Sequence, residues 1–138
     1  MKKKRLEVEY SYDFELLGIR SSARGYKLAW EVNRALSISL IKKDDLLIHD
    51  KSADFHFTHY AHQSAINTVR LFRNRPAEES RQVFLVPEHP HLDYILFAQG
   101  DEEMKGKRLH ELLHNIPSIE LVAFLPLAAL KSKDNFIF

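Results

Sequence analysis

The chain of 138 residues is 45% hydrophobic and 28% charged, carries a formal net charge of +1 and contains no cysteine. One domain of that size buries a core without metal or disulfide staples, and the missing thiols exclude thiolate catalysis, iron–sulfur ligation and cysteine-built zinc sites. Four positive charges fall within the first five residues, so the remainder is mildly acidic, with neither a domain-wide nucleic-acid footprint nor an apolar run long enough to span a bilayer.

Met1-Lys2-Lys3-Lys4-Arg5 runs into Glu7 and Glu9 instead of an apolar stretch; it does not read as a signal peptide, and the expected location is cytoplasmic. Leu6, Val8 and Tyr10 alternate with Glu7, Glu9 and Ser11, the period of a half-buried strand. Phe14, Leu16, Leu17 and Ile19 prolong the extended segment to about residue 20, with Gly18 marking a bulge or a close approach. Ser21 or Ser22 is placed to cap a helix over 22–37. Tyr26, Ala29, Trp30, Asn33 and Leu36 recur at helical spacing, widened by Leu28, Val32 and Ala35, so this helix is expected to cover a sheet with Trp30 as its largest anchor. Short apolar runs at 38–41 and 46–48 lead into a hairpin connection at 50–53 and a strand over about 54–60, with Phe55 and Phe57 on one side. Another strand is expected within 66–72. Arg70, Arg73, Arg75 and Arg81 surround a polar loop at 76–79, which reads as the most mobile loop of the chain.

The clearest patterning runs from 83 to 125. Residues 83–86 read as a strand stopped by Pro87, and 92–98 as a second strand ended by Gly100-Asp101. Asp101 can cap a helix over 102–115, with Glu102 and Glu103 in its first turn and Met104, Leu109, Leu112, Leu113 and Ile116 on its buried face. A strand at 119–125 follows, with Leu121, Ala123 and Leu125 sharing a face. This strand–helix–strand unit is long enough to cross over a sheet, and if its two strands lie side by side they are parallel within a sheet otherwise built from hairpins. Phe136, Ile137 and Phe138 are costly to leave in water, and are expected to add an edge strand or to pack against a second subunit.

Three groups of residues carry possible chemistry. His110-Glu111-Leu112-Leu113-His114 fits the H-E-x-x-H pattern, in which two histidines one helical turn apart bind zinc and the glutamate activates water. In a chain with eight histidines the pattern arises easily by composition, and the helix must bury Leu109, Leu112, Leu113 and Ile116, which aims His110 and His114 at solvent. His56, His59 and His62 do not share one strand face, so they read as ordinary surface or loop histidines. Glu88 and Asp93 bracket a tight turn before Tyr94. Structurally, Asp93 would accept backbone N–H bonds inside the turn and Glu88 would pair with an arginine or a strand terminus; functionally, the three would form a polar cluster able to bind a cation or a peptide. A phosphate loop across Gly100 and Gly106 is rejected, because the spacing is wrong and acidic residues would face the phosphate.

The stretch Val86-Pro87-Glu88-His89-Pro90-His91-Leu92-Asp93-Tyr94 resembles the motif that names the IPExxxVDY family, small bacterial proteins of uncharacterised function typical of Bacteroidota. Val86 stands where the name has isoleucine and Leu92 where it has valine. The likeness extends to Tyr12-Asp13-Phe14 with Gly18-Ile19, to Tyr26-Lys27-Leu28-Ala29-Trp30, and to Ser132-Lys133 with Asn135, Ile137 and Phe138. The resemblance implies a compact domain of this length and carries no activity onto any residue.

The expected architecture is a single α+β domain over 1–138: a two-layer, mostly antiparallel sheet with two main helices on one face and a C-terminal strand–helix–strand unit. Both sheet faces hold apolar residues, which favours a homodimer using Trp30, Phe136, Ile137 and Phe138. The leading expectation is a non-enzymatic dimerising or protein-interaction module without cofactor. The alternative is a small-molecule-binding regulatory domain, favoured by a polar-lined pocket near the 88–94 turn; zinc-dependent hydrolysis by His110, Glu111 and His114 is the third.

Overall fold

The computed structural model describes residues 13–50, 53–77, 83–101 and 104–138. Six strands form one sheet: β1 (Glu15–Ser21), β2 (Ile41–Asp50), β3 (Ala53–Gln63), β4 (Thr68–Arg73), β5 (Tyr94–Gln99) and β6 (Ile119–Phe124), in the order β2-β3-β4-β5-β1-β6. Every neighbouring pair is antiparallel. Helices α1 (Gly25–Leu36) and α2 (Gly106–His114) cover one face. The fold is α+β, as the alternation of apolar periods implies, and among the described residues no helix is long and apolar enough to cross a membrane.

The two strands of the C-terminal unit do not lie side by side. β5 and β6 do run in the same direction, but β1 is hydrogen-bonded between them and antiparallel to both, so the β5–α2–β6 crossover spans an intervening strand. A bulge at Arg20 and Ser21 shifts the β1–β6 register, which puts Ile119 and Val122 against the helices; Leu121, Ala123 and Leu125 share the other face as expected, with Leu121 exposed and Leu125 buried. Residues 83–86 form no strand. Leu85 N–H instead bonds the Asn74 carbonyl, and Val86 N–H bonds the Asn74 side chain.

Strand alternation sorts the core into two halves. Leu17, Ile19, Val69, Leu71, Tyr94, Leu96 and Ala98 face the helices, where they meet Leu28, Val32, Leu109 and Leu113. Leu16, Phe55, Phe57, Phe72, Ile95 and Phe97 face the other way. That second face is not open, as a bare two-layer fold would leave it. Leu85, Val86 and Leu92 from the 84–92 turn, with Leu125, Leu130 and Phe136 from the C-terminal segment, close over it. The segment folds into two short 3-10 helices, Leu127–Ala129 and Lys131–Phe136, and not into an edge strand; Phe136 is fully buried. Gly18 is the site of a close approach and not of the bulge: a Cβ there would meet Leu92 Cδ1 at 2.1 Å.

Both helices start later than their capping residues suggest. α1 begins after Arg24 and α2 after Lys105, and neither cap supplies a side-chain hydrogen bond. Ser21 is occupied elsewhere, its hydroxyl donating to the Ser118 carbonyl and accepting from Ala23 N–H. Trp30 is not the buried anchor of α1. Leu28, Ala29, Val32 and Leu36 form its buried stripe, while Trp30 is 56% exposed beneath the Arg34 guanidinium. The two outer strands differ in character. β2 carries Lys42, Lys43, Asp44 and Asp45 at a register shift, a charged and irregular edge that discourages pairing with another chain. Of the remaining expectations, the strand over 6–10, the tip of the hairpin at 51–52, the centre of the arginine loop at 78–82 and Glu102 and Glu103 lie outside the described residues.

Candidate functional site

The turn that carries Glu88, Asp93 and Tyr94 is built around Asn74, which is completely buried at the end of β4. Its side-chain amide donates to the His89 and Leu92 carbonyls and its side-chain oxygen accepts from Val86 N–H, at 2.8 to 3.0 Å. One side chain thereby meets two buried main-chain groups that the irregular path of the turn would otherwise leave unpaired, the Leu92 carbonyl and the Val86 N–H, and reinforces the His89 carbonyl, which also accepts from Leu92 N–H.

The three motif residues are not gathered into one cluster; each ties the turn to a different part of the chain. Glu88 accepts hydrogen bonds from Lys131 N–H, Ser132 N–H and the Ser132 hydroxyl, capping the second 3-10 helix. Burial alone would push its carboxyl up, but the donors of Ser132 and Lys131 outweigh that effect and hold it below its ordinary value. Asp93 accepts from Ser21 N–H at 2.9 Å, outside its own turn, and fixes the end of β1. The Tyr94 ring lies in the core and its hydroxyl donates to the Ala23 carbonyl at 2.7 Å. Burial pushes this hydroxyl's pKa up, so it stays protonated as the donor that the bond requires.

Asp93 and Tyr94 also line a cleft of about 540 Å³ between the start of α1, the middle of β3 and the end of β4. Arg24, Arg73 and Arg75 line it together with Ser22, Tyr26, Thr58 and Tyr60. Among the described residues none of these guanidiniums makes an ion pair; Arg75 lies over the Phe84 ring at 5.7 Å. Three fixed cations against the single carboxylate of Asp93 give the cleft a positive balance. The first turn of α1 opens into the same space without a side-chain cap or an acidic residue, so its leading N–H groups add to that potential. Gly25 permits the close packing here, since a Cβ would come within 3.2 Å of the Tyr60 hydroxyl. Sequence patterning marked Arg73 and Arg75 only as loop neighbours. Their two-residue spacing at a strand end was the available signal for a shared direction, but nothing local paired them with Arg24.

The H-E-x-x-H residues take structural positions. His110 Nε2 lies 3.1 Å from the Val122 carbonyl, and its ring stacks on Phe124 and on His114. Leu125 N–H bonds the Leu16 carbonyl, so strand alternation turns the Val122 carbonyl away from β1, toward the open edge of the sheet. His110 thus caps an edge acceptor and is not aimed wholly at solvent; His114 is exposed as expected, and Glu111 is exposed as well. Among the described residues no group of three or more His, Asp or Glu side chains has the arrangement of a metal site.

The other histidine group also needs one correction. His59 is no surface residue: it is 8% exposed and stacked on Phe72 at 4.6 Å. Its Nδ1 lies 3.3 Å from the Asp44 carbonyl and its Nε2 3.3 Å from Arg70 Nη1. A guanidinium can only donate, so Nε2 is the acceptor, Nδ1 carries the proton and the ring is neutral. Burial first, then the Arg70 charge, lowers its pKa from the ordinary 6.5.

Comparison with known proteins adds no relative: no family model matches the chain, and no curated protein or solved structure matches it at a significant level.

Proposed function

We propose that this protein is a binding domain for a small anionic molecule, held without catalysis in the cleft between the start of α1, the middle of β3 and the end of β4. The observation that carries the reading is the convergence of Arg24, Arg73 and Arg75, free of ion pairs among the described residues, on a concave space of about 540 Å³. A volume of this order suits a small organic ligand, and guanidiniums recognise phosphate and carboxylate oxygens through paired N–H donors. One wall is rigid because Asp93 and Tyr94 are already tied to Ser21 and Ala23, which favours a preorganised site. A polar pocket beside the 88–94 turn is the feature that separates a small-molecule domain from a pure interaction module. Titration with inorganic pyrophosphate, followed by amide shifts in a nitrogen-15 spectrum, tests the reading. Saturable shifts at Ala23, Gly25, Tyr26 and Arg73, weakened at least tenfold in Arg73→Ala and by added salt, are expected; an unresponsive spectrum at millimolar pyrophosphate overturns it.

A second reading, a homodimer, is supported by Trp30. It stands exposed at a groove of about 470 Å³ lined by Arg34, Ala35, Leu112, Ile116 and Pro117. Sedimentation velocity at high concentration decides it: a species of twice 16.1 kDa that reverts to one chain in Trp30→Ala supports the dimer, and a single monomer boundary rejects it. Membership of the IPExxxVDY family belongs with these proposals. It is supported by the anchoring roles of Glu88, Asp93 and Tyr94, three of the six residues that the motif names.

A further inference from the structure

The second face of the sheet contains a cation that the cleft above does not use. Arg70 projects from β4 between a cavity of about 600 Å³ and a smaller one of about 240 Å³, and lines both together with Gln63 and Thr68. Its guanidinium is fixed on two sides: the Phe138 ring lies 4.4 Å from its carbon, and Nη1 donates to neutral His59. Among the described residues no carboxylate pairs with it, and its Nε–H is enclosed without any acceptor. A half-buried guanidinium normally recovers its lost hydration from a carboxylate or from several carbonyls; here one neutral imidazole serves. His59 cannot neutralise the charge, because both its ring nitrogens are engaged and its proton is on the Asp44 side.

We propose that the larger cavity is a second ligand site, in which Arg70 binds the carboxylate of a small monocarboxylic acid with an apolar body. The enclosed Nε–H is out of a ligand's reach, but a planar carboxylate in the cavity supplies acceptors to the terminal N–H groups of the guanidinium, whose charge no protein carboxylate meets among the described residues. The rest of the wall matches such a molecule: Ile41 and Ala61 provide apolar surface, and Lys43 adds a second positive charge beside the single opposing carboxylate of Asp44. Arg70 has both a closely stacked aromatic ring and a histidine holding it in place, whereas in the first cleft only Arg75 has a ring against it, at the longer distance of 5.7 Å; Arg70 is preorganised for one oriented contact rather than for a diffuse anion.

Titration of the full chain with sodium hexanoate tests the proposal, followed by nitrogen-15 amide shifts with inorganic phosphate as the comparison probe. Saturable shifts at Lys43, His59, Ala61, Thr68 and Arg70 are expected for hexanoate and not for phosphate. Arg70→Gln should abolish them, and Arg70→Lys, which keeps the charge but not the fork, should weaken binding about tenfold. Arg73→Gln, in the other cleft, should leave hexanoate binding unchanged. Should Arg70→Gln fail to fold by circular dichroism, the Lys variant decides. No saturable shift with hexanoate, or equal affinity in parent and Arg70→Lys, overturns the site.

Discussion

Asn74 shows how much of this structure rests on single polar side chains. Its amide replaces the ladder that 83–86 would have formed as a strand, and no water reaches it. Replacing it with alanine strands the Leu92 carbonyl and the Val86 N–H in the interior, while the His89 carbonyl keeps Leu92 N–H, and replacing it with leucine adds bulk to a space shaped for an amide. Each unmet buried group costs roughly 1–3 kcal/mol, partly recovered by relaxation, so Asn74→Ala should lose about 3 kcal/mol in a urea unfolding experiment, with an unchanged slope. A loss below about 0.5 kcal/mol would show that the turn holds itself. The residue was invisible in the sequence because an asparagine after a strand and before a proline reads as ordinary turn chemistry. Its burial depends on the 84–92 segment returning over β4, which is tertiary information. Asp93 and Tyr94 were legible as structural residues, but their partners, Ser21 and Ala23, lie more than 70 positions away.

Among the elements, the strands follow the local pattern closely and the helices follow it less well. Alternation of Phe55 and Phe57 with polar neighbours identified β3, and the apolar run at 94–98 identified β5, since a two-residue period leaves only two faces to choose between. α1 offered two stripes at helical spacing, one through Leu28, Val32 and Leu36 and one through Tyr26 and Trp30; side-chain size favoured the second, and packing against Leu17, Ile19 and Leu96 selected the first. The C-terminal segment was recognisable as needing cover, but its shape was not. 3-10 segments of three and six residues are too short to display their three-residue period, and the latch that holds them, Glu88, is 43 and 44 residues from its backbone partners. Glu88→Ala removes all three acceptor contacts at once. By analogy with the loss of a helix cap it should cost about 1 kcal/mol, read as increased amide exchange across 131–136 with little change in β5. The same latch is pH-dependent. Its carboxyl is held below the ordinary value in the folded state, so its contribution is present above the unfolded pKa and is lost as pH falls through the folded one. Protection of Ser132 N–H should therefore decline only at the acid end of the carboxylate range, and should not respond near neutrality.

Across the whole molecule, one sheet carries two cores and two cation-bearing cavities on different sides, which makes separate tests of stability and binding possible. His59 belongs to the second core. Its folded pKa lies below the ordinary 6.5, so the unfolded chain takes up a proton first; the stability it contributes is fully present above 6.5 and diminishes as pH drops toward the folded value. Protonation would set a charged ring against Arg70, Lys42 and Lys43, so unfolding free energy should fall between neutral and mildly acidic pH, and His59→Phe should flatten that slope. Ligand binding on the opposite face should move stability the other way. A ligand that joins Arg24 at the start of α1 to Arg73 at the end of β4 binds only the folded chain, because nothing else brings those residues together. At a concentration one hundred times its Kd, such a ligand adds about 2.7 kcal/mol, which for a domain of this size is on the order of 10 °C in Tm. Pyrophosphate should therefore raise Tm by several degrees in a thermal scan, with the gain shrinking as sodium chloride rises because the contact is between partly exposed charges. Arg73→Ala should abolish the increment while leaving the unliganded Tm within a degree or two, since the guanidinium forms no ion pair among the described residues. An equal rise in Tm in that variant would mean that phosphate acts on the protein as a general stabilising salt, and that the cleft is not its site.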